Sequence, residues 1–368
     1  MAKQGGGMED LVTMAELEDH YRGKKVFLTG HTGFKGAWML AALHVAGSKI
    51  RGYALEPDQK GGLFELLGPL PGVESRIADI RDRERLRVEI ADFQPDYIFH
   101  LAAQSLVRRS YEIPAETFDV NVTGTANLLE AAMALEKRCA VVVITTDKVY
   151  ENKETGIPYR ETDVLGGHDP YSASKACTEL VVSSFRESFF PLSGKDIHSK
   201  GLASVRAGNV IGGGDWSRDR IVPDIARSLL AEVPIEVRNP ASVRPWQHVL
   251  EPIAGYLRLG GLLYRDPGRY SKAYNFGPLQ DDHLQVRELV ETAVDTWGNG
   301  SWRDVSDPGA PHEAGLLKLD ITRACTDLNW HPRLNARAAI RWALDWYRCA
   351  PQGRKDLSYQ QIKSYFTP

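Results

Sequence analysis

The residues with the most chemistry in this sequence are Thr146, Asp147 and Lys148, inside the run Thr145 to Tyr150, and Tyr171 and Lys175, inside Tyr-Ser-Ala-Ser-Lys. A phenol is a poor base at neutral pH, because its ordinary pKa is about 10. Lys175 follows Tyr171 at the i+4 position, one helical turn on, where an ammonium lowers that value by stabilising a phenolate. Such a pair suits removal of a carbinol proton on a sugar while a nicotinamide takes the hydride. Thr146 adds a hydroxyl for the same oxygen. Asp147 and Lys148 add an acid and a base that simple alcohol oxidation does not need, so the set points beyond oxidation. A lysine acts as a base only when neutral, which burial or nearby cations favour and an adjacent carboxylate opposes. Lys148 is therefore either a base or an ammonium that stabilises an enolate.

These side chains are useful only if the fold delivers them to one place. Lys25 to Thr29 and Lys49 to Ala54 read as buried strands, and further strands are expected at Ser75 to Ala78, Tyr97 to Leu101, Ala140 to Thr145 and Gly201 to Arg206. Helical patterns lie between them at Phe34 to Val45, Asp82 to Phe93, Glu116 to Leu135 and Tyr171 to Phe189. Alternating strands and helices predict an α/β protein with a doubly wound parallel sheet of the Rossmann type, whose ligands sit at the strand C-terminal ends. After Asn209 the texture changes to Gly212-Gly213-Gly214, many prolines and shorter elements, with helices expected at Ile221 to Leu230, Arg287 to Trp297 and Ala336 to Arg348. The division expected is a lead-in over 1–22, a dinucleotide-binding domain over 23–207 and a smaller, mainly substrate-binding lobe over 208–368, with interleaved boundaries.

The segment Gly30-His31-Thr32-Gly33-Phe34-Lys35-Gly36 follows the first strand and opens a helix. Glycines there permit a sharp turn and close approach to a pyrophosphate, and the helix start offers free N–H donors. Gly30, Thr32, Gly33, Phe34, Lys35 and Gly36 are thus expected at the cofactor. Asp79 and Ile80, after the third strand, are candidates for adenine, with Asp79 equally suited to capping a helix. Leu101, Ala102 and Ala103 end the fourth strand with mostly small side chains, as close packing of a cofactor requires. Arg51 argues for a 2′-phosphate and Glu56 for a free 2′-hydroxyl, leaving NAD and NADP undecided by the second strand.

A net charge of −3 argues against nucleic acid as a partner. Cys139, Cys177, Cys325 and Cys349 are scattered without a CxxC pair, so neither a disulfide framework nor a metal site is expected, and a reducing cytoplasm is. No apolar stretch is long enough to span a membrane, no signal-peptide core is read, and Met1 to Gly7 reads as a tail outside the fold.

The glycine loop, His100-Leu101-Ala102-Ala103-Gln104, Asn121-Val122-Thr123-Gly124-Thr125, Thr146-Asp147-Lys148 and Tyr171 to Lys175 resemble the extended short-chain dehydrogenase/reductases, over about Gly23 to Trp346. Four stretches are more specifically similar to the CDP-glucose branch of the nucleotide-sugar 4,6-dehydratases: His31 to Gly36, Thr146 to Lys148, Arg206 to Trp216 and Arg244 to Pro252. In the dTDP-glucose branch a Glu follows the Asp; here it is Lys148. The resemblance implies NAD as cofactor, with Thr145, Tyr171 and Lys175 beside it. It also implies CDP-glucose or a similar nucleotide sugar as substrate, bound by Gln104, Ser105, Asn209, Arg220 and Arg244. Arg238 is a weaker phosphate candidate, and Trp216, Trp246 and His248 are expected in the core. A homodimer or higher homo-oligomer, paired through Glu116 to Leu135 and Tyr171 to Phe189, is implied as well.

Overall fold

A computed structural model describes residues 11–190, 200–282, 284–306 and 317–368. Its centre is a seven-stranded sheet in which every pairing is parallel. The strands are β1 (Lys25–Thr29), β2 (Lys49–Ala54), β3 (Val73–Ile77), β4 (Tyr97–His100), β5 (Cys139–Ile144), β6 (Lys200–Ala207) and β7 (Ala273–Phe276), in the order β3-β2-β1-β4-β5-β6-β7. Strand β5, Cys-Ala-Val-Val-Val-Ile, is buried along its whole length, as a strand covered on both faces must be. Register brings Thr29 of β1 beside both Tyr53 and His100, so the C-terminal ends of the inner strands form one edge.

The predicted strands are all present. The third is displaced to Val73–Ile77, where a half-exposed edge strand carries little apolar signal to fix its ends. The long helix expected over Glu116 to Leu135 is instead three consecutive pieces: α-helix at Pro114–Phe118, one π turn at Asp119–Thr123, and α-helix at Gly124–Met133. A π turn inserts one extra residue and re-aims the side chains around it. Here it presents Asn121 inward, and Gly124 then lies so close to Ile80 that a Cβ would sit 2.7 Å from its side chain.

The seventh strand comes from the second half of the chain. Helix Leu250–Arg265 packs beneath β5 and β6, with Leu257 and Leu259 fully buried, and the chain then pairs Ala273–Phe276 with Ser204 to Ala207 of β6. The lead-in belongs to the same core. Helix Met14–Tyr21 buries Leu17 and Tyr21, the Tyr21 hydroxyl donates to the Leu257 carbonyl at 2.6 Å, and Arg258 pairs with Glu16 at 2.7 Å. Further on, Glu251 accepts from the backbone of Arg333 and Leu334 and from the Tyr365 hydroxyl, pinning the chain's last helix, Arg354–Phe366, to the body. Burial pushes Glu251 up to about 7 against these three donors. Among the described residues, no helix is long and apolar enough to cross a membrane.

Candidate active site

Strand β5 ends at Ile144 and passes directly into Thr145, Thr146 and a single 3-10 turn, Asp147–Val149. Thr146 caps that turn by accepting from the Lys148 N–H at 3.4 Å, and its own hydroxyl donates to Asp147 Oδ1 at 3.0 Å. Gly208, just past β6, faces the other carboxylate oxygen: a Cβ there would lie 3.0 Å from Asp147 Oδ2. Helix Pro170–Phe189 starts at Asp169, whose carboxylate accepts from the N–H and hydroxyl of Ser172. Its first turns carry Tyr171, Lys175 and Glu179 on one face, with Tyr171 beside Thr146. The structure therefore brings Thr146, Asp147, Tyr171 and Lys175 together, all buried.

The electrostatics differ from the sequence expectation. Burial pushes the Tyr171 phenol up to about 12; Thr146 and the Arg220 guanidinium pull it down, and the charges of Asp147 and Asp169 push it up. Lys175 is turned to the Ile144 carbonyl at 3.2 Å, and burial pulls its amine down to about 8 while Glu179 opposes. Burial also raises Asp147, against the pull of Lys148, Thr146 and Lys35.

Lys148 lies exposed, next to buried Asp147. A second amine, on Lys35, is half-buried and stands 5.8 Å from the centre of the Tyr256 ring. Burial, Arg220 and Lys175 bring Lys35 down to about 8, and Asp147 opposes them. The sequence reading took Lys35 only as part of the glycine loop. One signal was available: a cation in the first turn of a helix opposes the helix dipole, so the position has another use. Asn121 was likewise quoted but not given a task. Its amide holds the Gln104 backbone and the Ser174 hydroxyl together, tying the catalytic helix to the end of β4.

The glycine loop is shaped for a phosphate. Gly30 has φ +73, and a Cβ on it would meet the Ala102 nitrogen at 2.7 Å; on Gly36 it would meet the Gly30 carbonyl at 2.0 Å. Gly33 starts helix Phe34–Val45 without any side-chain cap, leaving its first N–H groups facing outward, and a Cβ there would touch only the Gly30 carbonyl. Thr32 donates to the Leu55 carbonyl at 2.9 Å, and Phe34 is half-buried beside it. The Thr29 hydroxyl accepts from the N–H groups of Leu101 and Ala102 and pairs with His100, holding the Leu101 to Ala103 segment against the loop. The cradle fits a dinucleotide.

Other cofactor candidates fall differently. Asp79 is gripped by Arg81, and Asp82, not Asp79, caps the following helix, Arg83–Phe93. Ile80 is buried against Gly124. The Thr145 hydroxyl donates to Glu179 and to the Val205 carbonyl. Arg51 is held by Glu74 at 2.8 Å, Asp92 at 2.7 Å and Glu89 at 3.3 Å, so it is committed to carboxylates and does not serve a 2′-phosphate.

On the substrate side, Asp147, Gly208, Val243, Pro245, Pro278 and Lys318 border a cleft. Asn209 is half-buried at its edge, next to Gly208. Arg220 is held by Asp215 at 2.8 Å and faces Tyr171. Arg244 is half-buried on a two-residue strand, Val243–Arg244, paired with Leu284–Gln285. Ser105 is exposed. The Gln104 side chain, expected at substrate, is instead engaged with Leu106 and Thr117 and shapes the loop. Arg238 is exposed and pairs with Asp219. Trp246 and His248 are core residues as expected, whereas Trp216 is only partly covered, donating to the Gly61 carbonyl.

A parallel sheet with a glycine loop after β1, and a Thr/Tyr/Lys set shared between β5 and the next helix, defines a dinucleotide-dependent enzyme of the extended short-chain dehydrogenase/reductase type. More narrowly, the chain belongs to the GDP-mannose 4,6 dehydratase family, whose sequence model matches residues 27–342. It is 46% identical to the CDP-glucose 4,6-dehydratase of Salmonella typhimurium, over 95% of this chain and 98% of that one. It is 31% identical to a dTDP-glucose 4,6-dehydratase of Streptomyces antibioticus, over 88% of this chain and 92% of that one. Among solved structures, the dTDP-glucose 4,6-dehydratase of Streptomyces venezuelae, crystallised with NAD, superimposes with a TM-score of 0.72 at 24% identity, covering 88% of this chain and 96% of that one. An epimerase from Methanothermobacter thermautotrophicus reaches 0.77 at 22% identity, covering 95% and 97%. At these identities the likeness concerns the fold.

Proposed function

We propose that the chain converts CDP-D-glucose to CDP-4-keto-6-deoxy-D-glucose and water, with NAD recycled within each turnover. The observation that carries this reading is Asp147: a buried acid that accepts from the Thr146 hydroxyl at 3.0 Å and borders the cleft. An oxidoreductase or epimerase has no use for an acid there. The 46% identity to a CDP-glucose 4,6-dehydratase, over nearly the full length of both chains, supports the choice of nucleotide.

Gly30 to Gly36 and the uncapped helix start receive the cofactor pyrophosphate, with Leu101 to Ala103 beneath and Lys175 at the nicotinamide ribose. A dinucleotide held there would supply the hydride acceptor for C4 and the hydride donor for C6. Tyr171 removes the C4 hydroxyl proton while Thr146 hydrogen-bonds O4. The ketone acidifies C5, and Asp147 protonates the departing C6 hydroxyl. Arg244 and Arg220 bind the diphosphate through two-point contacts, and Asn209 holds a phosphate or sugar oxygen. Lys148, exposed beside Asp147, removes the C5 proton or steadies the enolate as an ammonium. Loss of C5 deuterium exchange in Lys148→Met, with C4 oxidation retained, supports the first role; persistent exchange rejects it.

Incubating the protein and NAD separately with CDP-, dTDP-, UDP- and GDP-sugars, then weighing the products, tests the whole reading. Loss of one water from CDP-glucose alone is the expected result. An isomer or a reduced product instead would make the chain an epimerase or reductase on the same fold.

A homodimer through the helical segments at Pro114–Met133 and Pro170–Phe189 is part of this reading. They leave Leu180, Phe189, Phe118 and Met133 at least partly exposed, apolar surface of the kind a two-fold partner covers. A cytoplasmic setting is supported by the absence of any disulfide among the four cysteines.

A further inference from the structure

Residues 212–220, in the second half of the chain, lead from the short strand Val210–Ile211 to helix Ile221–Leu230. They are fastened to the first half at three places. At the near end, a Cβ on Gly212 would lie 3.3 Å from the Phe34 ring, and Trp38 of the same helix donates to the Gly213 carbonyl at 2.8 Å. In the middle, Gln59 from the loop after β2 grips two successive residues. Its Oε1 accepts from the Trp216 N–H at 2.7 Å and its Nε2 donates to the Ser217 hydroxyl at 2.8 Å. The Trp216 indole adds a bond to the Gly61 carbonyl at 2.9 Å. At the far end, Asp219 pairs at 2.9 Å with Arg108 of helix Val107–Glu112, which follows β4.

Strand order decides what lies beneath. β1 stands between β2 and β4, so a segment bonded to the loop after β2 and to the helix after β4 passes across the end of β1. That end is the glycine loop, with the uncapped start of helix Phe34–Val45. The loop after β2 is where doubly wound folds hold an adenosine ribose, and Thr32 ties it to the glycine loop through the Leu55 carbonyl at 2.9 Å. We propose that residues 212–220 are a strap that closes the dinucleotide into its groove, with Gln59 and Arg108 as the residues that must let go before the cofactor can exchange. The inference rests on the dehydratase reading above, in which one dinucleotide is reduced and reoxidised within a turnover and must not leave between the two steps.

The fastenings suit a strap rather than a wall. The Arg108–Asp219 pair is exposed, and exposed pairs hold weakly. Asp219 has φ +62, a left-handed backbone that a residue with a Cβ adopts at a cost, and it shares one carboxylate oxygen between Arg108 and Arg238. Within its own half the segment is braced. Arg227 donates to the Trp216 and Ser217 carbonyls, both at 3.1 Å, while Asp215 accepts from the Ser217 N–H at 3.0 Å and holds Arg220 at 2.8 Å. The strap therefore keeps its shape when Gln59 and Arg108 release it, and the buried Trp38 to Gly213 bond remains as the hinge.

The test is stopped-flow binding of NADH to the full chain, and its displacement by excess NAD, read as energy transfer from tryptophan to the reduced nicotinamide. Gln59→Ala should raise the association and dissociation rate constants together by about tenfold, the scale of two hydrogen bonds, and leave Kd within about twofold. Arg108→Ala should raise both by about threefold, as an exposed pair allows. The double variant should exceed either single one. A strap moves both rates in step, whereas a residue that only contacts the ligand or props the site shifts Kd. Should Gln59→Ala fold poorly, Ser217→Ala removes one of the same bonds and should show a smaller rise in both rates. Variants with wild-type rates, or with faster release and unchanged association, would overturn the strap alone. A wild type that binds no NADH would sink the dinucleotide reading and the strap with it.

Discussion

The two walls of the cleft are built on different principles. On the catalytic wall, polar groups are mostly buried and fixed by partners within the sheet and the helix beside it: Thr146 to Asp147, Lys175 to the Ile144 carbonyl, Thr145 and Ser204 to Glu179. On the opposite wall, Arg220, Arg244 and Asn209 are half-buried, on a loop, a two-residue strand and a strand end. In the proposed reaction the first wall would fix atoms for proton transfer, where small displacements are costly. In the proposed reaction the second would offer charge to a flexible diphosphate, which tolerates adjustment.

This contrast predicts opposite kinetic signatures. The largest effect belongs to the catalytic wall: Tyr171→Phe should lower the C4 oxidation rate about 10³-fold with little change in KM, measured in single turnovers. Next in size is the support beneath it. Glu179 and Arg206 form a buried pair at 2.9 Å, so Glu179→Ala leaves an uncompensated charge and should cost about 3–5 kcal/mol in urea unfolding. On the other wall, Arg244→Ala should raise KM about tenfold and leave kcat nearly unchanged; a fall in kcat of equal size would erase the distinction between the walls. An effect of a different kind is a pH dependence away from both. Glu251 is raised to about 7 in the folded protein, above the ordinary carboxyl value of about 4.3. The folded state thus holds its proton more tightly, and the stability from this group is complete below pH ~4.3 and lost as pH rises towards ~7. Unfolding measurements across that window should show a flatter profile for Glu251→Gln.

How much of this was legible in the sequence depended on what kind of order each part needs. Strand β1 and helix Phe34–Val45 were bounded correctly, because a continuous apolar run followed by a glycine turn leaves few alternatives. The grouping of Thr146, Asp147, Tyr171 and Lys175 was readable from residue type and helical spacing. What each group feels was not. That Lys175 meets the Ile144 carbonyl, and that Arg220 arrives from a distant loop, are tertiary facts. The side-chain partners of Gln104 and Thr145 were hidden for the same reason: Thr117 and Glu179 are their neighbours only in space. Strand β7 was missed because four residues, Ala-Tyr-Asn-Phe, carry no periodicity to notice.

That strand bears on how such enzymes can be rebuilt. Because Ala273–Phe276 completes the sheet edge at β6, and helix Leu250–Arg265 supplies the floor under β5, the substrate-recognising segments are not a cassette that begins after residue 207. A graft of another enzyme's second half must bring its own edge strand and floor helix, matched to the recipient's β6. Without them the recipient would expose an unpaired, wholly buried-type strand, a ready template for aggregation. Exchange of specificity between relatives is therefore easier through single loops, such as the one carrying Arg220 or the one from Pro278 to Gln280, than through transfer of whole halves.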